Sequence, residues 1–412
     1  MLAPFTTPKP PLPLSDLKTT SYPPEMYKHA LVDDVLPFWL RHGMDHEHGG
    51  IITSLDRDGS IVDTDKSIWF QGRAAWTYAT AYLTVERRAE WLAAAESCIT
   101  FLRRFGADAS GKLYFQVTRD GRPVRMRRYV YSESFAAIAL AAYAAATGEA
   151  RAADESLTAF DRYIDYSFTP GRMASKTDPN TRPMIGVGPR MIGIATAQEM
   201  MVHLGDVNVR GCSLSEWITT WISDIERLFF KSDLGVLLET VAPDGSIIDH
   251  ADGRTLNPGH AIEASWFILH EGNLRGDRAM ITLGLAILDG MWARGWDTEY
   301  GGLYYFRDLK GLPVQEYWHD MKFWWPHNEA VIATLLAWKM TADKKYLHMH
   351  EQVHGWSFKH FADPEFGEWY GYLHRDGSPS SRAKGTLWKG PFHLPRMLLY
   401  CHRLISPAGD TP

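Results

Sequence analysis

Cysteine is scarce in this chain. Its three thiols, Cys98, Cys212 and Cys401, lie far apart, with no CxxC pair and no zinc-ligand spacing. An odd, dispersed set argues against a disulfide framework and a structural zinc site, and it suits a reducing compartment. No apolar run is long enough to cross a bilayer. The opening stretch MLAPFTTPKPPLPLSDLKTTSYPP has no basic start followed by a long apolar core, so it does not read as a secretory signal. Its prolines predict a flexible, extended lead-in over residues 1–24, ahead of one domain spanning 25–412. A surplus of positive charge is also missing: the net charge is -6, which argues against nucleic acid or a membrane surface as partner. Neither a Walker loop, nor a dinucleotide fingerprint after a strand, nor a GxSxG elbow occurs. The expected location is the cytoplasm.

What the chain does have is a repeat. HEHGGIITSLDRDGS starts at His46, ASGKLYFQVTRDGRP at Ala109, SDLGVLLETVAPDGS at Ser232, TEYGGLYYFRDLKG at Thr298 and PEFGEWYGYLHRDGS at Pro364. Each couples a glycine to about seven β-branched or aromatic residues and an Asp-Gly or Lys-Gly turn, the pattern of a β-hairpin. The glycines Gly49, Gly111, Gly235, Gly301 and Gly367 are separated by 62, 124, 66 and 66 residues. One gap is double, so the chain reads as six units, one of them degenerate in SFTPGRMASKTDPNTRP. Helix-periodic segments lie between the hairpins, mostly in pairs, about twelve in all. Six helix pairs predict an all-α (α/α)6 barrel with hairpins at one mouth, where a site is expected. An open solenoid is the competing architecture, but it usually carries distinct caps.

Four stretches place polar groups where a core face should continue. In WFQGRAAW, Arg73 sits among aromatic and small residues, either binding ligand oxygens or forming a structural ion pair. In NPGHAIEASWF, a turn leads into a helix whose first turn holds His260, with Glu263 one turn on. The helix N-terminus is expected to lower the histidine pKa and Glu263 to oppose that and orient the ring. The alternative is a purely structural histidine. In MKFWWPHNEA, Pro326 starts a helix that carries His327 and Glu329, and Trp324 and Trp325 either wall a sugar site or fill the core. In KGPFHLPR, His393 and Arg396 share a helix face. His46 and His48 lack a third metal partner, and His348 and His350 are expected on an outer, solvent-facing helix. No metal site is assigned.

These stretches, with TRPM, ETVAPDGSIID, GGLYYF and FADPEFGEWYGYL, run in order over residues 25–405 and resemble the N-acylglucosamine 2-epimerase family. The resemblance implies an (α/α)6 barrel, usually a homodimer, that interconverts N-acetylglucosamine and N-acetylmannosamine without redox cofactor or metal. It places the family's catalytic histidines on His260 and His393, its active-site arginine on Arg73 and its glutamate on Glu329. Glu263, Arg396, Trp324, Trp325 and His327 become substrate-binding candidates. It also implies that a purine nucleotide such as ATP acts as an allosteric activator rather than a reactant. Cellobiose or mannose 2-epimerase and aldose–ketose isomerase are alternatives within the same family. A glycoside hydrolase or lyase, recruiting Glu133, Glu263 or Glu329, and a non-catalytic binding toroid are alternatives outside it.

Overall fold

The computed structural model describes residues 21–127 and 129–406, so nearly all of the expected flexible lead-in lies outside the described residues. Twelve long helices follow in chain order: α1 (24–42), α2 (Ile68–Thr84), α3 (Ala89–Phe105), α4 (Tyr131–Thr147), α5 (Ala150–Phe168), α6 (Gly188–Leu204), α7 (214–229), α8 (Pro258–Arg275), α9 (Arg278–Gly295), α10 (Trp324–Thr341), α11 (Lys344–His360) and α12 (His393–Ile405). The even-numbered helices form an inner ring. Each packs on the next, and α12 returns to α2 and closes the circle. Every odd-numbered helix backs an inner one. The barrel is thus an (α/α)6 toroid.

Side-chain pattern decides which ring a helix joins. Outer helices carry one apolar stripe: α3 buries Trp91, Ala94, Ala95, Cys98, Ile99 and Leu102 at helical spacing. Inner helices are covered more widely, and α10 is buried continuously from Trp324 to Lys339. His350 corrects the sequence reading. It is fully buried on α11 with Nδ1 3.2 Å from the Val331 carbonyl, whereas His348 is exposed.

The hairpins are shorter than their sequences predict. The expected seven-residue strands reduce to single bridges such as Met44–Ile51, Trp296–Leu303 and Ala362–Trp369, plus two-residue ladders. Inner-helix side chains take over the ladder's hydrogen bonds. Gln71 accepts from the Ile51 amide and donates to the Ile51 carbonyl, both at 2.9 Å. Glu133 accepts from the Leu113 amide at 2.9 Å, and His327 from the Leu303 amide at 2.9 Å. Other short ladders join neighbouring units, as where Lys66–Ser67 pairs with Gln116–Val117 and Lys322–Phe323 with Tyr372–Leu373.

The same turns are tied together by a recurring ion triad. Asp45 receives Lys66 and Arg119, each at 2.8 Å. Asp297 receives Lys322 at 3.0 Å and Arg375 at 2.8 Å. Asp363 receives Lys384 at 2.9 Å and Arg57 at 2.7 Å. In each case the arginine belongs to an Arg-Asp-Gly turn of the next unit around the ring, and it also grips a glutamate two residues beyond the aspartate: Glu47, Glu299 or Glu365. The Asp363–Arg57 pair joins the last unit to the first. The three lysines are wholly buried. Burial pulls Lys322 and Lys384 down to about 8, against the raising effect of their aspartates. Removing one partner of a buried pair strands the other charge, a loss of about 3–5 kcal/mol. Asp363→Ala is therefore expected to lower the chemical denaturation midpoint strongly, and adding Lys384→Met is expected to recover much of the loss. A single variant as stable as the parent refutes this role for the triad.

Candidate active site

All six inner helices line one cavity of about 580 Å³ on the ring axis, within the ordinary range for small-molecule sites. Its polar groups stack in layers. On α8, His260, Glu263 and His270 face inward; on α12, His393, Arg396 and Tyr400 do the same at three- to four-residue steps; on α2, Arg73 and Trp76 follow suit.

His260 is positioned by local chain chemistry. The Asn257 side chain caps α8 by accepting from the His260 amide at 3.1 Å, and Pro258 occupies the first turn. Gly259 permits close packing against α10, since a Cβ there would lie 2.8 Å from the Trp325 ring. His393 opens α12 after Phe392. Gly390, just upstream, abuts Phe70, whose ring would lie 2.5 Å from an added Cβ. The two imidazoles flank one indole: the Trp325 ring centroid is 4.9 Å from that of His260 and 5.8 Å from that of His393.

Each histidine binds a carboxylate through Nδ1. His260 lies 3.0 Å from Glu239, and His393 lies 2.7 Å from Glu329. Donation from Nδ1 fixes the tautomer, so Nε2 is the nitrogen left for the cavity. The two dyads differ in what surrounds the acid. The Glu329 carboxylate also accepts from Trp266 at 2.8 Å and from Arg396 at 2.7 Å. Arg396 in turn holds Glu263 at 2.5 Å. Burial works against the Arg396 charge, but Glu329 and Glu263 outweigh it and raise its pKa.

The histidine pKa values move apart. Burial pulls His260 down, but the charge and hydrogen bond of Glu239, with help from Glu263, leave it raised. Burial drives His393 well below its ordinary value, and the nearby cations Arg73 and Arg396 push the same way. This corrects the expectation for His260: a helix N-terminus does not make it the less basic ring. The orienting acid is Glu239, while Glu263 bonds to Arg396. Glu239 escaped the sequence reading. Its signal was a lone acid inside the apolar run VLLETV, where Val236, Leu237, Leu238 and Val241 are buried.

Arg73 is a buried cation with no acid partner among the described residues. Its guanidinium packs over Phe135 at 4.0 Å and Phe392 at 4.6 Å, and its Nε has no hydrogen-bond partner. Burial, then Arg396, lowers its pKa to about 9. Trp324 and Trp325 form part of the cavity wall. His327 does not. It is wholly buried behind them, donates from Nδ1 to the Phe323 carbonyl at 2.6 Å, accepts at Nε2 from Leu303 and stacks on Trp356. With both nitrogens committed, it anchors a turn and has no free atom for substrate. Glu133 likewise serves a turn.

Glu263, Glu329 and His393 bring three ligand atoms within 4.8 Å of one another, the spacing of a metal group. Arg396 already bonds to Oε1 of both glutamates, so a guanidinium supplies a cation there. That sharing also argues against glycoside hydrolysis, which needs two carboxyl groups free to flank a glycosidic bond.

The family model described as N-acylglucosamine 2-epimerase (GlcNAc 2-epimerase) matches residues 50–393. The N-acylglucosamine 2-epimerase of Bos taurus is 37% identical over 395 residues, covering 91% of this chain and 89% of its own. That of Mus musculus is 36% identical over 394 residues, covering 91% and 90%. Among solved structures, the cellobiose 2-epimerase from Bacillus thermoamylovorans B4167 superposes with a TM-score of 0.80 at 22% identity, over 92% of this chain and 98% of that one.

Replacing the acid on His260 isolates its effect. Glu239→Gln keeps a hydrogen-bond acceptor but removes the charge, so the His260 titration midpoint is expected to fall below that of the parent. Imidazole ¹H–¹⁵N spectra across pH read this directly, and an unmoved midpoint would show that Glu239 does not set it.

Proposed function

From the N-acylglucosamine 2-epimerase family, to which this chain belongs, we propose an isomerase that interconverts N-acetyl-D-glucosamine and N-acetyl-D-mannosamine by proton transfer at carbon 2 of the open-chain sugar. The observation that carries the mechanism is the pair of Glu-anchored imidazoles on either side of Trp325, with pKa values displaced in opposite directions.

The proton on carbon 2 is acidified by the neighbouring carbonyl but remains a weak acid. His393, held neutral, is the base that removes it through Nε2. His260, held protonated, delivers a proton to the opposite face, and the configuration inverts. Charge develops on the carbon 1 oxygen in between. Arg73, whose guanidinium has no acid partner among the described residues, stabilises that oxyanion. Glu329 and Glu239 orient the rings, and Arg396 holds Glu329 and Glu263 in place. Trp324 and Trp325 supply apolar wall against the sugar.

Among the described residues, no helix is long and apolar enough to cross a membrane. The proposal extends to a homodimer acting in the cytoplasm, with ATP as an activator and no cofactor consumed in the chemistry. Three free cysteines are compatible with that compartment.

His260→Ala and His393→Ala are each expected to abolish epimerisation while preserving the far-ultraviolet circular dichroism spectrum. Arg73→Ala is expected to lower kcat by about 10²–10³, the typical loss of an oxyanion donor. Incubation with N-acetylmannosamine in heavy water, followed by proton NMR, should show deuterium entering carbon 2. Substantial turnover by either histidine variant defeats the two-base scheme. For the direction in which His393 is the base, the rate falls at low pH as His393 protonates and at high pH as His260 loses its proton.

A further inference from the structure

Below the catalytic layer the cavity continues into a chamber that the mechanism above does not use. It is floored by Glu199, Trp76, His270 and Tyr400. On α8, His270 lies ten residues past His260, about 15 Å down the helix axis at the rise of an α-helix. Val202 borders the same cavity on inner helix α6, yet it is 65% exposed, so this end of the passage meets solvent away from the hairpin mouth.

The chamber's polar groups fall in two hydrogen-bonded pairs. The Trp76 indole donates to Glu199 at 2.9 Å, and His270 Nδ1 lies 2.5 Å from the Tyr400 hydroxyl. Above them is Arg396, 7% exposed, whose NH2 is bound to Glu263 and Glu329 while its Nε has no partner. Arg396 and Arg403 both act electrostatically on Glu199, lowering its pKa against a larger rise from burial. His270 faces Glu271 and Arg403 as well as Tyr400, and burial takes it down to about 4. With these polar groups and a volume of about 580 Å³, the cavity has room and hydrogen-bond partners for water.

A two-base epimerase has a need that such a chamber meets. One turnover leaves His393 protonated and His260 neutral, the reverse of the state their surroundings favour. Before the next turnover in the same direction, His393 must lose a proton and His260 must gain one. We infer that the lower chamber is the proton-exchange path for this reset: the His393 proton passes along water beside Arg396 to the Glu199 carboxylate and leaves at the Val202 end, while His260 takes one proton from solvent at the mouth. One proton leaves, one arrives, and no other bond changes. Glu199 is a relay residue that never touches substrate. The inference rests on the two-histidine reading above.

The test is a split between kinetic constants. Reset follows product release, so it enters kcat but not kcat/KM. With N-acetylmannosamine as substrate, Glu199→Gln keeps an acceptor for Trp76 but cannot carry the proton. It should lower kcat at least fivefold and KM in step, leaving kcat/KM within about twofold of the parent. Val202→Trp, which narrows the solvent end without touching a polar group, should do the same in smaller measure. Unchanged kcat in both variants overturns the inference, as does a matching fall in kcat/KM, which marks simple structural damage. Inactive His260→Ala and His393→Ala alongside a normal Glu199→Gln would sink the relay and leave the two-base reading intact; active histidine variants would sink that reading instead.

Discussion

A single guanidinium organises the centre of the ring. Arg396 bonds at once to Glu263 from α8 and Glu329 from α10, so three inner helices meet on one buried cation. Two carboxylates this close repel each other. Arg396 between them supplies a shared counter-charge, while Glu329 still holds His393 Nδ1 at 2.7 Å. The wider balance follows by counting charge. Arg73 and Arg396 offset Glu263 and Glu329, which leaves no net charge to support a proton on His393. Across Trp325, Glu239 faces His260 with a charge of its own to neutralise. Among these groups the charges balance when His260 carries a proton and His393 does not. The two dyads share an Nδ1–carboxylate geometry yet shift in opposite directions: burial, Arg73 and Arg396 lower His393, whereas Glu239 and Glu263 outweigh burial at His260.

The ring that holds this cluster depends on a second kind of buried charge. The Asp–Lys–Arg triads at Asp45, Asp297 and Asp363 each link a turn to the helix that follows it and to the next unit. Five residues after each of the lysines comes a polar latch on the same turn. Gln71 and His327 grip backbone groups of the hairpin, and Lys389 binds Glu368 at 2.7 Å. His327 is thus the counterpart of Gln71 in another unit, which explains how a histidine beside two cavity tryptophans comes to have a structural job.

Much of this architecture was legible in the chain itself. The glycine spacing revealed six units, and helical periodicity gave about twelve helices, mostly in pairs. These signals are local and repeated, so each unit reinforces the others. The strands were overread because a short run of β-branched and aromatic residues marks burial without naming its partner, and here inner-helix side chains replaced the partner strand. Arg73, His260 and His393 stood out as polar residues interrupting apolar faces. Their pairings did not, since His260 and Glu239 are 21 residues apart and His393 and Glu329 are 64 apart. Sequence spacing along one helix pointed to Glu263 as the acid for His260, but the ring delivered it to Arg396. Which acid meets which base is decided by closure of the toroid, and no single segment carries that information.

Arg73 shows what the protein invests in chemistry. A guanidinium this deep without an acid partner is costly, and the aromatic faces of Phe135 and Phe392 recover only part of the lost hydration. Pairing it with a glutamate would stabilise the fold but would spend its field before any substrate arrived. Without an acid partner among the described residues, its charge would, in the proposed mechanism, meet a full counter-charge only when an oxyanion forms beside it. An interaction that strengthens in the transition state more than in the ground state is the kind that raises kcat. The same cation helps to lower the His393 pKa, so in the proposed mechanism one residue would both stabilise the enediolate and prepare the base that generates it.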